Sequence, residues 1–284
     1  MPVAEIHEYL PIRHRDAASR ARVLVTGAAG TIGSAFTAAM HQCYALRQLI
    51  HPDHPEHIAA QLSERGDVLR GDITDPPCIA EACTGQDTVL HLAATPDPRA
   101  DWDAVNHLNI DGTYRVLAAA ASAGCRRVIL ASSIHAVSGH PPQQQVEPHD
   151  PVAPGDLYGV SKCADEALGR YFAGQRTLSV LPVRIGGFQP VERVRSGDEL
   201  WSLAAAWVSQ RDLIALFACC IDNEDLRFAI LHGVSANRFN RLDCTRTSAL
   251  VGYQPRDDFF AEHPDLAPLA LRQRVHAHDE RQHR

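Results

Sequence analysis

Apolar positions along this chain fall into short, nearly unbroken runs separated by helix-length stretches. Residues 23–26, 46–50, 68–70, 88–92, 127–131, 178–183 and 228–232 read as strands. Several are apolar at almost every position (Val-Leu-Val, Val-Leu-His-Leu, Val-Ile-Leu-Ala). Continuous rather than alternating runs predict strands covered on both faces, as in a parallel sheet. Residues 31–42, 76–83, 102–123 and 157–173 read as helices: the first opens on a glycine turn, the second has proline in its first turn, and Gly124 stops the third. Another helix-like run extends from Leu200 to about Cys220. Repeated β–α alternation with right-handed crossovers predicts a Rossmann-like, doubly wound α/β parallel sheet.

Two stretches break the winding. Residues 136–155 hold five prolines and three consecutive glutamines, and 186–200 are polar. Loops near 135–155 and 186–215 therefore predict a small substrate-binding cap, drawn from C-terminal segments, over the carboxyl edge of the sheet, where open α/β sheets bind ligands. The expected organisation is an N-terminal extension (1–20), one domain (21–262) and a C-terminal tail (263–284).

Composition narrows the function. With 45% hydrophobic and 21% charged residues, the chain is that of an ordinary globular protein. A net charge of -7 argues against the basic footprint of a nucleic-acid binder. No apolar run has transmembrane length, and the first residues lack the apolar stretch of a secretory signal. The expectation is a cytoplasmic protein with neither nucleic acid nor membrane as partner. Eight scattered cysteines with no C-x-x-C read as reduced thiols, and most of the sixteen histidines read as solvated surface, so no metal site is expected.

Two motifs carry chemistry. Gly27-Ala28-Ala29-Gly30-Thr31-Ile32-Gly33 follows the strand at 23–26 directly. Strand, glycine turn and helix together let a backbone approach a pyrophosphate and offer it free N–H groups, a device for holding a dinucleotide; the glycine string alone is a weak signal, which a second motif raises. Tyr158 and Lys162 lie four apart on a predicted helix and so share a face. A phenol is a poor acid–base group near neutrality, but an adjacent ammonium and a positive nicotinamide favour the phenolate. Ser133, ending its strand, can donate to the same substrate oxygen. The plain alternative, a Tyr and a Lys decorating a helix, loses ground to the glycine turn upstream and the serine pair at 132–133. His51 ends the second strand, with Arg47 before it and Asp53 after. An acidic residue there would bind the ribose 2′-hydroxyl of NAD, whereas histidine tolerates a 2′-phosphate. The expected cofactor is NADP or NAD, with NADP slightly favoured.

In these motifs the chain resembles the extended, epimerase/dehydratase-like branch of the short-chain dehydrogenase/reductase superfamily. The matching pieces are Val25–Gly33, Gly71–Asp75, His91–Ala94, Asn109–Thr113, Ala131–Ser133 and Tyr158–Lys162, in order and at matching intervals over residues 22–255. The resemblance implies an oxidoreductase with Ser133, Tyr158 and Lys162 as catalytic triad, and Asn109 supporting Lys162 through a water or a backbone carbonyl. It implies Asp72 and Ile73 flanking the adenine, Leu92, Ala93 and Ala94 beneath the cofactor, Ile185 beside it, and a homodimer. A strand-closing turn carboxylate is an equal reading of Asp72.

Within that branch the chain is most similar to uronate dehydrogenases, through 157–163, 183–186, 207–212 and 233–237. Such enzymes grip the sugar acid with a serine, an asparagine and an arginine. The corresponding positions here are Pro96, Ile134 and Ser202, so the expected small-molecule substrate is not a simple uronate but a less polar ring, such as a polyketide-type ketone. His135 and Phe188 complete the expected pocket; His135 either orients substrate or bonds to backbone at the strand end. Alternatives are a uronate or other sugar dehydrogenase, a sugar epimerase, which Ile185-Gly186-Gly187 in place of an aromatic-Asn pair weakens, and a non-catalytic NAD(P) sensor.

Overall fold

The computed structural model describes residues 20–175, 178–188 and 197–266. The expected extension up to residue 19, the tail from 267, and residues 189–196 of the second cap loop, with Arg193 and Arg195, lie outside the described residues. Seven strands form one parallel sheet, ordered β3-β2-β1-β4-β5-β6-β7. They are β1 (Arg22–Thr26), β2 (Ala45–Ile50), β3 (Asp67–Arg70), β4 (Thr88–His91), β5 (Arg127–Ser133), β6 (Ser179–Ile185) and β7 (Leu231–Gly233). Because β1 lies between β2 and β4, the chain leaves β1 toward one edge and later returns to build the other. The crevice at the carboxyl ends of β1 and β4 is the topological switch point, where such sheets bind ligands.

Alternate strand residues serve opposite faces, so the nearly unbroken apolar runs build two cores. Val23, Val25, Leu90, Ile129, Leu181 and Val183 join one cluster with Phe36 and Phe217. Leu24, Val89, Val128, Leu130 and Val180 join the other with Val116, Leu117 and Phe172. Helices α1 (Thr31–Met40), α2 (Glu56–Ser63), α3 (Pro76–Cys83), α4 (Gly112–Ser122), α5 (Leu157–Gln175), α6 (Gly197–Ala204), α7 (Gln210–Asp222), α8 (Thr245–Val251) and α9 (Phe259–Glu262) complete the fold.

The first six strands lie within two residues of expectation. The helices depart from it more, α8 and α9 being unforeseen. The single helix expected at 102–123 is an α-turn (Trp102–Ala104), a π-helix (Val105–Asp111) and α4. The run expected from Leu200 to Cys220 is two helices, because Gly187 pairs with Trp207 and Ser209 restarts the helix by accepting the Asp212 N–H at 3.0 Å. Helix α2 went unread because its apolar face is slight, with only Ala59 and Leu62 buried.

Candidate active site

After β1 the backbone turns through Gly27, whose φ of +67 is costly for any side chain. A Cβ there would stand 2.8 Å from Ala93 N, and one on Gly33 would stand 2.3 Å from Gly27 O, so the turn packs this tightly only with glycine. Gly30 caps α1 without a side-chain bond. The first helical bond runs from Ser34 N–H to Gly30 O at 2.9 Å, leaving the N–H groups of Thr31, Ile32 and Gly33 without helical partners. Uncapped donors at a helix N-terminus, above a turn that a Cβ would fill, fit a diphosphate.

At the ends of β2 and β3, His51 stands between two carboxylates. Its Nδ1 is 3.4 Å from Asp53 Oδ2 and its Nε2 is 3.7 Å from Asp72 Oδ2. Burial works to raise the Asp72 carboxyl, but the Thr74 N–H and hydroxyl, both 2.8 Å from Oδ1, outweigh it and hold it below the ordinary carboxylate range. Ile73 is buried and packs toward Gly112, so its side chain serves the core. Arg47 donates to the carbonyls of Glu81, Ala82 and Thr84 at the C-terminal end of α3, well occupied there.

On the other side of the crevice, α5 carries Tyr158 and Lys162 on its inner face, as their spacing requires. Both are mostly buried, and the Lys162 ammonium lies 5.7 Å from the Tyr158 ring centroid. The Tyr158 hydroxyl bonds to no described residue, which leaves it open to a ligand. Ser133 ends β5, and its Oγ accepts the His135 N–H at 3.2 Å, so its own hydrogen is free to be donated outward. Helix α5 is seated by Glu166, which bonds Arg184 of β6 at 2.8 and 2.9 Å and Ser132 of β5 at 2.7 Å.

Beneath Lys162 lies a carboxylate that sequence reading missed. Asp165 Oδ2 accepts from Lys162 Nζ at 3.0 Å, both groups almost wholly buried. Burial pushes the Asp165 carboxyl up to about 6, with Lys162 pulling the other way. Burial alone would strip the Lys162 proton, but Asp165 and then Tyr158 outweigh it and hold the lysine charged beyond its usual range. The i,i+3 spacing was the available signal.

Asn109, expected to support Lys162 through a water or a backbone carbonyl, bonds Ser161 Oγ at 2.9 Å and the Thr95 N–H and carbonyl at 2.8 and 3.2 Å. It braces the residue next to Lys162, and the π-helix aims it there. Sequence reading also missed a buried string of bonds. The Thr26 hydroxyl accepts the Leu92 and Ala93 N–H groups, so it donates to His91 Nδ1 at 2.7 Å, and His91 Nε2 lies 3.0 Å from Thr113 Oγ1. Burial holds the His91 ring down at about 3, hence neutral. This string ties the strand end carrying Leu92, Ala93 and half-buried Ala94 to α4.

The expected substrate residues are dispersed in character. Ile134 and His135 are half-buried beside Ser133 in a 3-10 turn; Ile185, expected beside the cofactor, is buried at the end of β6. Phe188 packs partly against the sheet core, whereas Pro96 and Ser202 are exposed.

A model of the NAD dependent epimerase/dehydratase family matches residues 23–187. The chain belongs to this family. Two relatives from Haloferax volcanii match more than four fifths of the chain. An NAD-dependent glucose-6-phosphate dehydrogenase is 34% identical over 251 residues, 83% of this chain and 93% of that protein. An L-arabinose 1-dehydrogenase (NAD(P)(+)) is 34% identical over 257 residues, 84% and 97% respectively. The solved uronate dehydrogenase from Agrobacterium tumefaciens, a mutant complexed with NAD, matches with a TM-score of 0.74 at 26% identity, covering 86% of this chain and 89% of that one. This member of the epimerase/dehydratase family is thus an NAD(P)-dependent enzyme with a close likeness to uronate dehydrogenases. No helix among its described residues is long and apolar enough to cross a membrane.

Proposed function

We propose that this enzyme is an NAD(P)-dependent dehydrogenase that oxidises a hydroxyl-bearing carbon of a small ring substrate, a neutral sugar rather than a simple uronate. The observation that carries this reading is the wall formed by Tyr158, Lys162 and Ser133. A phenol with an unoccupied hydroxyl and an ammonium kept charged by Asp165 share one face of α5, and a serine with a free hydrogen ends β5, its Oγ holding the N–H of His135, whose ring lies against Tyr158. Tyr158 takes the hydroxyl proton of the substrate as phenolate, and Ser133 donates to the same oxygen. Lys162 stabilises the phenolate and holds the coenzyme ribose. The uncapped N–H groups of Thr31, Ile32 and Gly33 hold the diphosphate, Asp72 and His51 face the adenosine end, and Leu92 to Ala94 with Ile185 support the nicotinamide. Bound NAD(P) supplies the hydride acceptor.

Against the expected slight preference for NADP stands the arrangement at the adenosine end. Arg47 is committed to α3, and Asp53 and Asp72 flank His51, so a 2′-phosphate would meet two carboxylates. NAD is the coenzyme this arrangement favours. Ile134, where a uronate enzyme holds asparagine, favours a less polar ring, and that is the one reason to keep a polyketide-type ketone as second reading.

Purified enzyme assayed with NAD and NADP against aldoses and uronates, and with NADH and NADPH against aromatic ketones, tests this. Expected is NAD-linked oxidation of a neutral aldose, falling about 10²- to 10⁴-fold in kcat for Tyr158→Phe. Efficient oxidation of glucuronate or galacturonate overturns the substrate reading. Coenzyme binding with no net redox change overturns the dehydrogenase in favour of an epimerase or a sensor.

A further inference from the structure

Beside Tyr158 stands a second pair of side chains that hydride transfer does not use. The His135 ring meets the Tyr158 ring edge-on, with centroids 5.3 Å apart and planes at 63°. His135 Nδ1 lies 2.7 Å from Asp156 Oδ2. The other oxygen of that carboxylate, Oδ1, accepts the Gly159 N–H at 2.7 Å. One side chain thus caps α5 and grips the histidine. Gly159 permits the approach, because a Cβ there would sit 2.3 Å from the His135 carbonyl oxygen.

An ionised carboxylate only accepts, so the ring hydrogen sits on Nδ1. Nε2 makes no hydrogen bond to a described residue and, in the neutral ring, presents a lone pair. Resting on the hydride-transfer reading above, we propose that Asp156 is a positioning residue that fixes His135 as the acceptor for a second substrate hydroxyl, on the carbon next to the one oxidised. Ser133 and Tyr158 hold the reacting oxygen. The His135 N–H is bonded to Ser133 Oγ and its ring flanks Tyr158, so the imidazole stands beside both groups assigned to that oxygen, and Nε2 is assigned to the neighbouring substituent. The substrate class is therefore a ring polyol with a free hydroxyl beside the reacting carbon. A deoxy analogue leaves the acceptor unpaired, and sites built around such a bond reject analogues that lack it.

Asp156→Asn is the informative variant. Its amide oxygen still caps α5, since Asn and Asp cap equally well. Its NH₂ then faces Nδ1, which forces the ring hydrogen onto Nε2. Ring ¹⁵N shifts of the full-length, histidine-labelled protein, recorded where the ring is neutral and assigned against His135→Gln, report this without turnover. The wild type should carry the hydrogen on Nδ1 and Asp156→Asn on Nε2; the same tautomer in both overturns the proposal. In kinetics, D-glucose is compared with 2-deoxy-D-glucose, and L-arabinose with its 2-deoxy counterpart. The wild type should prefer the hydroxylated sugar by about 100-fold or more in kcat/KM. His135→Leu, which can neither accept from nor donate to the hydroxyl, should shrink that to about three-fold or less, mainly through KM, and an undiminished preference overturns the proposal. A wild type that oxidises neither sugar defeats the sugar reading, and the ¹⁵N shifts still judge the pair.

Discussion

The two halves of the sheet build their shares of the crevice from different materials. On the β1–β3 side the parts assigned to the diphosphate are backbone, a glycine turn and uncapped N–H groups, with His51, Asp53 and Asp72 at the strand ends beyond them. On the β5–β6 side they are side-chain pairs, His135 with Asp156, Lys162 with Asp165, and Glu166 with Arg184. A backbone-built site fails when a Cβ is added. A pair-built site fails when one partner is removed and a buried charge is stranded.

The largest test of this contrast is Glu166→Ala. The Arg184 side chain, 1% exposed, would lose its carboxylate, and unfolding free energy from denaturant titration should fall by about 3–5 kcal/mol. A loss under about 1 kcal/mol would break the contrast. Gly33→Ala tests the other half. The new Cβ, 2.3 Å from Gly27 O, should cost about 1–3 kcal/mol of overpacking and weaken NADH binding at least about ten-fold in fluorescence titration. Unchanged affinity would mean the turn yields.

The smallest effect, per pH unit, comes from three buried titratable groups. Burial holds His91 at about 3 and His232 at about 4, so the fold keeps both neutral while the unfolded chain protonates them below about 6.5. Their stability contribution is complete above that value and is lost as pH falls through the depressed values. Asp165, raised to about 6, acts oppositely: its contribution is complete below the unfolded carboxylate range and is lost as pH rises through 6. Between pH 6 and 4 the unfolded state therefore binds about one extra proton net from these groups, a slope of about 1.4 kcal/mol per pH unit. Asp165→Asn should steepen that acid loss in thermal melts, and an unchanged slope would place the Asp165 proton elsewhere.

The same contrast explains what could be read from sequence. The strands and the glycine turn announce themselves through consecutive residues, because backbone sites depend on local φ/ψ and on missing side chains. Tyr158 and Lys162 were also readable, being four apart on one helix. His135 with Asp156 and Glu166 with Arg184 are separated by loops or whole elements, and only the folded sheet brings them together. Asn109 was identified but its partners were not, since an α-helical reading of 102–123 aims it differently from the π-helix.

That π-helix, Val105–Asp111, also gives the molecule slack in length. A wider turn stores surplus chain inside a continuous rod, so one residue can be lost or gained there while the rods before and after keep their seats. Homologues of unequal length are expected to place single-residue gaps in this segment, with the orientation of Asn109 toward Thr95 and Ser161 as what the spare residue protects.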